Sequence, residues 1–219
     1  MIIVFDLDDT LYDEMTYVKS GLRAVSDFGL EEFGLDSDES YQEMIGLLSL
    51  NGRGKVFDDW LSMHGVCSRV RVLKCLQVYR NHTPIIKLFP KVDGLLHQYR
   101  NQFPIYMVTD GHKLVQKKKI DALGIGGLFN RVFITHRFGV VNAKPSLYCF
   151  EIIMRMHGCS WAEMVYVGDN PKKDFVNLNK VGAQTIRVKT GSFAFCEALP
   201  GYDAKKTIPD ISYLGAAIV

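Results

Sequence analysis

The chain has 219 residues and a formal net charge of +2, and 47% of its residues are hydrophobic while 23% are charged. This balance predicts a folded domain, and a charge so near zero argues against a nucleic-acid binder. The five cysteines are odd in number and lack a CxxC spacing, which argues against a disulfide framework or a zinc site. No apolar run is long enough for a signal peptide or a membrane span, so we expect a cytoplasmic protein without a membrane partner.

Five short apolar runs predict β-strands. Residues 2–5 are rich in β-branched side chains and show no alternation, which is typical of strands buried on both faces in a parallel sheet. Similar runs follow at residues 105–108, 132–134, 164–167 and 185–188. Helical periodicity separates them, at residues 91–100, 112–123, 146–157 and 173–181, with a short helix starting at Ser160. The alternation predicts an α/β fold with a Rossmann-like parallel sheet flanked by helices.

Residues 14–88 interrupt this alternation. They contain four stretches of helical periodicity and no convincing strand, with apolar faces that begin at Val18, Tyr41, Val56 and Val72. A helical segment of this size after the first strand predicts an inserted bundle. We therefore expect a core formed by residues 1–13 and 89–219 and a helical insert at residues 14–88. The weakly patterned segment from Gly201 onward gives no prediction.

Acidic residues directly follow the first predicted strand. Asp6 and Asp8 are two positions apart, so in an extended chain their side chains point to the same side. One ionised carboxylate can attack phosphorus, while the other can give a proton to the leaving oxygen and later take one from water. Like charges this close repel each other, and a divalent cation would relieve the repulsion. A surface acidic turn that caps a helix is the alternative interpretation.

Three further polar groups stand directly after a later strand or just before a helix. Thr109 and Asp110 end a strand before a helix, where hydroxyl and backbone N–H groups can hold a phosphate. Lys144 can neutralise a phosphate or orient a nucleophile. Asp169 follows Gly168 after the fourth strand and suits Mg²⁺, which prefers carboxylate oxygen. Helix caps and a solvated lysine would explain each group alone, but the carboxyl ends of parallel strands would bring all of them to one edge.

Taken together, these motifs resemble the haloacid dehalogenase (HAD) superfamily. The resemblance covers nearly the whole chain, and its four motifs occur in the family's order: Asp6-Leu7-Asp8-Asp9-Thr10-Leu11, Thr109 in VTDG, Lys144 in AKPS, and Gly168-Asp169 with Asp174. The helical insert resembles the C1 cap of that family. The resemblance implies an α/β catalytic core whose cap closes over the crevice.

The resemblance also implies catalytic roles. Asp6 would be the nucleophile that forms an aspartyl-phosphate, and also a ligand of Mg²⁺. Asp8 would be the general acid and base, with its backbone carbonyl on the metal. Thr109 and Lys144 would hold the phosphoryl group, with Asp110 beside them in the same phosphate-binding site.

Asp169 would complete the metal site in this resemblance. Asp174 and Asn170 would lie behind the metal ligands, with Asp174 positioning Lys144. Asn170 stands where some relatives carry a second acid, so Asp174 or water would take that place.

These roles imply a magnesium-dependent phosphatase. Dehalogenases of the superfamily lack the acid two residues after the nucleophile, because halide needs no proton on leaving; Asp8 therefore favours a phosphate ester. The expected partner is a small molecule, such as a sugar phosphate or a nucleoside monophosphate. A phosphomutase on the same scaffold and a catalytically silent binding domain are the alternatives, and the intact acids argue against the second. The sequence identifies neither the substrate nor an oligomeric state.

Overall fold

The core of the chain is a parallel sheet, and the computed structural model describes residues 1–218. Its strands in chain order are β1 (Ile2–Phe5), β2 (Ile105–Thr109), β3 (Arg131–Ile134), β4 (Met164–Gly168), β5 (Gln184–Val188) and β6 (Lys206–Ile208). They lie in the order β3-β2-β1-β4-β5-β6, and every neighbouring pair is parallel. The predicted α/β fold with a Rossmann-like sheet is confirmed.

The central strands are buried on both faces. Every residue of β1, β2 and β4 is buried. On one face Val4 lies in register with Tyr106 and Tyr166, and this row packs against Phe150 and Ile153 of a covering helix. The alternate residues of β1 on the other face are also fully buried. Helices on both faces of a parallel sheet require this pattern, which explains why the apolar runs lack alternation.

The helical insert forms four helices: α1 (Glu14–Phe33), α2 (Ser37–Asn51), α3 (Val56–Met63) and α4 (Arg69–Asn81). Its apolar core surrounds the fully buried ring of Trp60, with Val25, Met44, Leu61 and Cys75. The chain divides into two compact units. The helical unit is Met15–Ile85, and the core unit consists of Met1–Glu14 together with the chain from Ile86 onward. The sequence predicted residues 14–88 for the helical insert and residues 1–13 with 89–219 for the core.

The remaining helices belong to the core unit. They are α5 (Val92–Arg100), α6 (Lys113–Leu123), α7 (Tyr148–His157), α8 (Val176–Lys180) and α9 (Leu214–Ala217). The predicted short helix at Ser160 is a 3₁₀ turn, Trp161–Glu163, with the expected capping box. Helix α8 is shorter than the predicted 173–181, because Lys173 and Asp174 lie in a turn that directs their side chains to other partners.

Strand β6 was not predicted. It is three residues long, lies at the edge of the sheet, and buries only Ile208. Lys206 and Thr207 are exposed, so the sequence contains no apolar run there. A short edge strand of this kind is fixed by its pairing with β5 rather than by its own pattern.

The order of the strands determines where the polar residues meet. The chain places β2 and β3 on one side of β1 and places β4, β5 and β6 on the other. Such a reversal of strand order opens a crevice at the carboxyl ends of the strands. The residues that follow β1, β2 and β4 therefore lie at one edge. None of the helices within residues 1–218 combines the length and apolar content needed to cross a membrane.

Candidate active site

Asp6 follows the last residue of β1 and is buried at the carboxyl edge of the sheet. Its backbone N–H donates to the Val167 carbonyl at 2.9 Å, which extends the pairing of β1 with β4 by one bond. Its Oδ1 accepts a hydrogen bond from the Lys144 ammonium at 2.7 Å. Burial raises the pKa of Asp6 to about 7, although the charge of Lys144 opposes that rise. The carboxylate is thus held in one position by a buried cation.

Lys144 is surrounded by three oxygen-bearing side chains. Besides Asp6, its ammonium donates to the Tyr166 hydroxyl at 2.9 Å and lies 2.9 Å from an Asp174 carboxylate oxygen. Burial lowers the pKa of Lys144, but the charges of Asp174 and Asp6 outweigh burial and raise it well above its ordinary value. Lys144 is therefore a fixed positive charge and not a solvated surface lysine.

Three buried carboxylates from distant parts of the chain meet at this edge. Oxygens of Asp6, Asp169 and Asp174 all lie within 4.8 Å of one another, and the three residues are no more than 4% exposed. Burial raises the pKa of Asp169 to about 9, and the charges of Asp174 and Asp6 add to the rise. If all three carboxylates were ionised, the cluster with Lys144 would carry a charge of about −2, and a divalent cation would balance that charge and favour the ionised forms. This all-oxygen donor set fits Mg²⁺.

Asn170 and Asp174, which follow Asp169 in the sequence, make different contacts. Asp174 was expected behind the metal ligands, and its carboxylate has an oxygen within 4.8 Å of oxygens of both Asp6 and Asp169. The side-chain oxygen of Asn170 accepts from the Lys172 N–H, while the Asn170 N–H donates to Asp174 at 2.9 Å. Gly168 is required here, because a Cβ would lie 2.7 Å from an Asp174 oxygen.

Asp8 has a separate set of partners. Its Oδ1 accepts from the Tyr12 hydroxyl at 2.6 Å and from the Lys119 ammonium at 2.7 Å, and its Oδ2 accepts from the Gln116 amide at 2.8 Å. The same amide donates to the Thr109 hydroxyl oxygen at 2.6 Å. Burial raises the pKa of Asp8, but the charge of Lys119 and the hydrogen bonds outweigh it, so the pKa lies below its ordinary value.

The side chain of Asp110 is occupied by protein groups. It accepts from the Thr135 hydroxyl at 2.8 Å, from the Lys144 backbone N–H at 3.1 Å and from the Lys173 ammonium at 2.8 Å. A carboxylate that accepts three hydrogen bonds cannot donate one to a phosphate. The expected contribution of Asp110 to phosphate binding therefore rests on its backbone N–H. Its carboxylate instead joins the segments that carry Thr135, Lys144 and Lys173.

Asp9 fixes the loop that carries Asp6 and Asp8. Its backbone is in the left-handed region, at φ +53°, and its carboxylate accepts the backbone N–H groups of Glu14 and Ser192, each at 2.9 Å. The Thr190 hydroxyl donates to the Asp9 carbonyl. Gly191, at φ +63°, lies so close that a Cβ there would overlap the Asp9 side chain. The loop after β5 thus holds the loop after β1.

The structure adds residues that the sequence did not identify. Tyr166 lies inside a buried apolar run, and Asp9 has no neighbour in sequence that reveals its tie to Ser192. Gln116 and Lys119 are three positions apart in α6, but their polarity gave no sign that the structure buries them. The added contacts at this edge are made by Tyr12, Gln116, Lys119, Tyr166, Lys173 and Thr190.

The fold and this cluster define an α/β protein with an acidic centre at the switch point of its sheet. The sequence profile of the haloacid dehalogenase-like hydrolases matches residues 3–188. The chain belongs to the haloacid dehalogenase-like hydrolase family, and the resemblance stated above is confirmed.

Two relatives named as phosphatases are similar over most of their length, and a third is similar over a shorter stretch. The glyceraldehyde 3-phosphate phosphatase of Methanopyrus kandleri is 30% identical over 200 residues, which cover 87% of this chain and 84% of the relative. The enzyme of the same name from Methanocaldococcus jannaschii is 28% identical over 87% of this chain and 86% of its own. The phosphoserine phosphatase of Thermus thermophilus is 27% identical over a shorter stretch, 48% of this chain and 41% of the relative.

Solved structures share the fold across the whole chain. The HAD-hydrolase YfnB of Bacillus subtilis, bound to magnesium, superposes with a TM-score of 0.73 at 18% identity and covers 99% of this chain and 97% of that one. A HAD phosphatase of Thermococcus onnurineus gives a TM-score of 0.62 at 20% identity, covering 99% of this chain and 97% of its own. At these identities the likeness supports the architecture alone.

Proposed function

We propose that this protein is a magnesium-dependent phosphatase that hydrolyses a small phosphate monoester through an aspartyl-phosphate. The observation that carries the proposal is the meeting of the Asp6, Asp169 and Asp174 carboxylates, of which Asp6 and Asp174 contact the Lys144 ammonium. The names of the relatives support a phosphate monoester as substrate. Both named substrates are three-carbon phosphates. Compact phosphate esters of that size are therefore the first candidate substrates, and sugar phosphates and nucleoside monophosphates are the next.

In the first step, a carboxylate oxygen of Asp6 attacks phosphorus and the bond between phosphorus and the ester oxygen breaks. Asp8 gives the leaving oxygen a proton, so an alcohol departs and Asp6 carries the phosphoryl group. Asp8 is ionised before substrate binds, because its pKa is lowered. The approach of a phosphate dianion raises the pKa of a carboxyl beside it, which favours the acid form for this step.

In the second step, Asp8 takes a proton from water while the water oxygen attacks phosphorus. The bond between phosphorus and Asp6 breaks, inorganic phosphate leaves, and the Asp6 carboxylate is restored. Lys144 and the Thr109 hydroxyl hold phosphoryl oxygens in both steps, because a fixed cation and a hydroxyl donor stabilise the negative charge that they carry.

Asp6, Asp169 and the Asp8 backbone carbonyl would hold Mg²⁺, with Asp174 beside them as a ligand or through water. When bound, the ion offsets the charge of the phosphoryl oxygens and the repulsion among the carboxylates. YfnB, which has the same fold, is bound to magnesium. To the helical unit, Met15–Ile85, we assign the role of a cap that selects the leaving group.

The test is phosphate release from a panel of phosphate monoesters in the presence of Mg²⁺. The panel holds glyceraldehyde 3-phosphate, phosphoserine, sugar phosphates and nucleoside monophosphates, with a 2-haloacid as a dehalogenation control. We expect inorganic phosphate from at least one compact ester and no halide release. Failure to release phosphate from every ester would contradict the proposal. Transfer of the phosphoryl group to a second hydroxyl of a bisphosphorylated sugar would instead identify a mutase.

A second expected result concerns Tyr166, which the sequence did not identify. Tyr166→Phe removes one of the oxygens around the buried Lys144 ammonium, at a cost of about 1–3 kcal/mol for an unsatisfied buried donor. We expect kcat to fall by roughly tenfold, because Lys144 then holds Asp6 less firmly. Steady-state kinetics and circular dichroism would measure this, with Tyr148→Phe at a partly exposed position as the matched control. Unchanged kcat in Tyr166→Phe would show that the hydroxyl has no part in positioning Lys144.

A further inference from the structure

Helix α6 buries two polar side chains on the face that it turns toward the core. Gln116 is 1% exposed and Lys119 is 2% exposed, and their spacing of three places them on the same face. Glutamine and lysine are rarely fully buried unless their polar atoms are bonded. The burial of this pair therefore requires partners, and the partners are groups of the proposed active site.

Gln116 joins two of these groups with a single amide. Its Nε2 lies 2.8 Å from Asp8 Oδ2 and 2.6 Å from Thr109 Oγ1. An amide NH₂ has two protons, so it can donate to both oxygens at once. The chemistry also fixes the orientation of the amide, because the ionised Asp8 carboxylate only accepts and must face the NH₂.

The bond from Gln116 sets the direction of the Thr109 hydroxyl. A hydroxyl has one proton to donate and two lone pairs to accept with. Because the Thr109 oxygen accepts from Gln116, its own proton points away from the amide. Thr109 lies at the end of β2, where a phosphate oxygen is the expected acceptor. Gln116 thus prepares Thr109 to donate to the substrate.

The other oxygen of Asp8 is held from α6 and from its own loop. Lys119 donates to Oδ1 at 2.7 Å and Tyr12 donates to it at 2.6 Å. Three donors on two oxygens prevent the carboxylate from rotating about its side chain. Proton transfer is efficient only when the donor lies within hydrogen-bond reach of the reacting oxygen in a defined direction.

We propose that Gln116 is a positioning residue that orients Asp8 and Thr109 together, and that Lys119 fixes the second oxygen of Asp8. The inference rests on the proposed function and adds a role for α6 in it. Gln116 acts through Asp8, which protonates the leaving group, and through Thr109, which binds the phosphoryl group. Removal of the Gln116 amide should therefore lower kcat/KM most for substrates whose leaving oxygen needs a proton.

The experiment compares two leaving groups in Gln116→Met, which keeps the side-chain length but removes both N–H donors. The measured quantity is kcat/KM, because it reports the steps up to release of the alcohol. For the best alkyl phosphate of the panel we expect a loss of roughly 100-fold, the lower range for general acid–base catalysis. For 4-nitrophenyl phosphate, whose leaving group departs without a proton, we expect a loss below about tenfold. Equal losses on both substrates would overturn the proposal.

A double-mutant cycle tests the link to Thr109. Thr109→Val removes the hydroxyl with little change of shape, and the cycle combines it with Gln116→Met on 4-nitrophenyl phosphate. We expect the double variant to lose less than the product of the two single losses, because both changes remove the same hydrogen bond. Multiplied losses would show that Gln116 does not act through Thr109.

Control variants distinguish a failure of this inference from a failure of the proposed phosphatase function. Lys117→Met changes an exposed residue of the same helix, paired with Asp121, and should leave both kcat/KM values unchanged. Gln116→Glu keeps the shape and serves as a second variant, with the same unequal losses expected. If both Gln116 variants fail to fold while Lys117→Met folds, Gln116 is a packing residue and the proposal is overturned. An inactive wild-type protein would count against the phosphatase function itself.

Discussion

Asp6→Asn is expected to lower phosphate release by roughly 10⁴-fold or more, because an amide oxygen cannot act as the carboxylate nucleophile. The substitution keeps the shape of the side chain and an oxygen that can still accept from Lys144. The variant should therefore fold and bind substrate. The measurement is turnover with the best substrate of the panel, with circular dichroism to check the fold.

The Asp6 experiment includes two controls. Asp6→Ala excludes recovery of activity by slow deamidation of the asparagine, since alanine cannot revert. Brief reaction of the wild-type protein followed by acid quench should add the mass of one phosphoryl group to the peptide that contains Asp6. Turnover near the wild-type rate in Asp6→Ala, or a phosphoryl group on another residue, would refute the assignment of the nucleophile.

Removal of divalent metal is the second large effect that we expect. A chelator should abolish activity, and added Mg²⁺ should restore it. The ion should also stabilise the protein without any substrate, because it offsets the repulsion among Asp6, Asp169 and Asp174. At a concentration 100 times its Kd, a ligand adds about 2.7 kcal/mol to the free energy of unfolding. For a chain of this size we expect a rise in melting temperature of roughly 5–10 °C.

Asp169→Asn tests the same site without reference to activity. Without metal, this variant should melt at the same or a higher temperature than the wild-type protein, because asparagine replaces a carboxyl group whose ionised form is disfavoured by burial and by the charges of Asp174 and Asp6. It should also show no rise in melting temperature with Mg²⁺. Asp203→Asn, at a carboxylate elsewhere in the core unit, is the control that keeps the response to Mg²⁺. A full response of Asp169→Asn to Mg²⁺ would contradict the metal site.

The sequence predicted the groups whose positions follow from strand order. Asp6, Lys144 and Asp169 each stand beside a predicted strand or helix start, and parallel strands bring such positions to one edge. Tyr166 could not be predicted, because its hydroxyl sits in a run that otherwise contains only apolar residues. Its partner Lys144 lies 22 residues away, and nothing local indicates the contact.

Helix α6 shows a second limit of sequence patterns. Its apolar residues are Leu114, Val115, Ile120 and Leu123, yet Leu114 is 40% exposed while the polar residues Gln116 and Lys119 are buried. A hydrophobic pattern weighs side chains by their apolarity, so it assigns a lysine to solvent. The structure buries Lys119 because its charge is paired with Asp8, a contact 111 residues apart that only the folded sheet creates.

The tie between Asp9 and the segment Thr190–Ser192 has a consequence for biosynthesis. The two partners are separated by 181 positions, so the reactive loop cannot reach its final form on the ribosome until the strand β5 and the residues after it have emerged. A nascent chain that has made only β1 and the helical insert carries Asp6 without the support that orients it. The loop that carries Asp6 should therefore reach its active conformation late in synthesis, in a single step, when Thr190–Ser192 binds to Asp9.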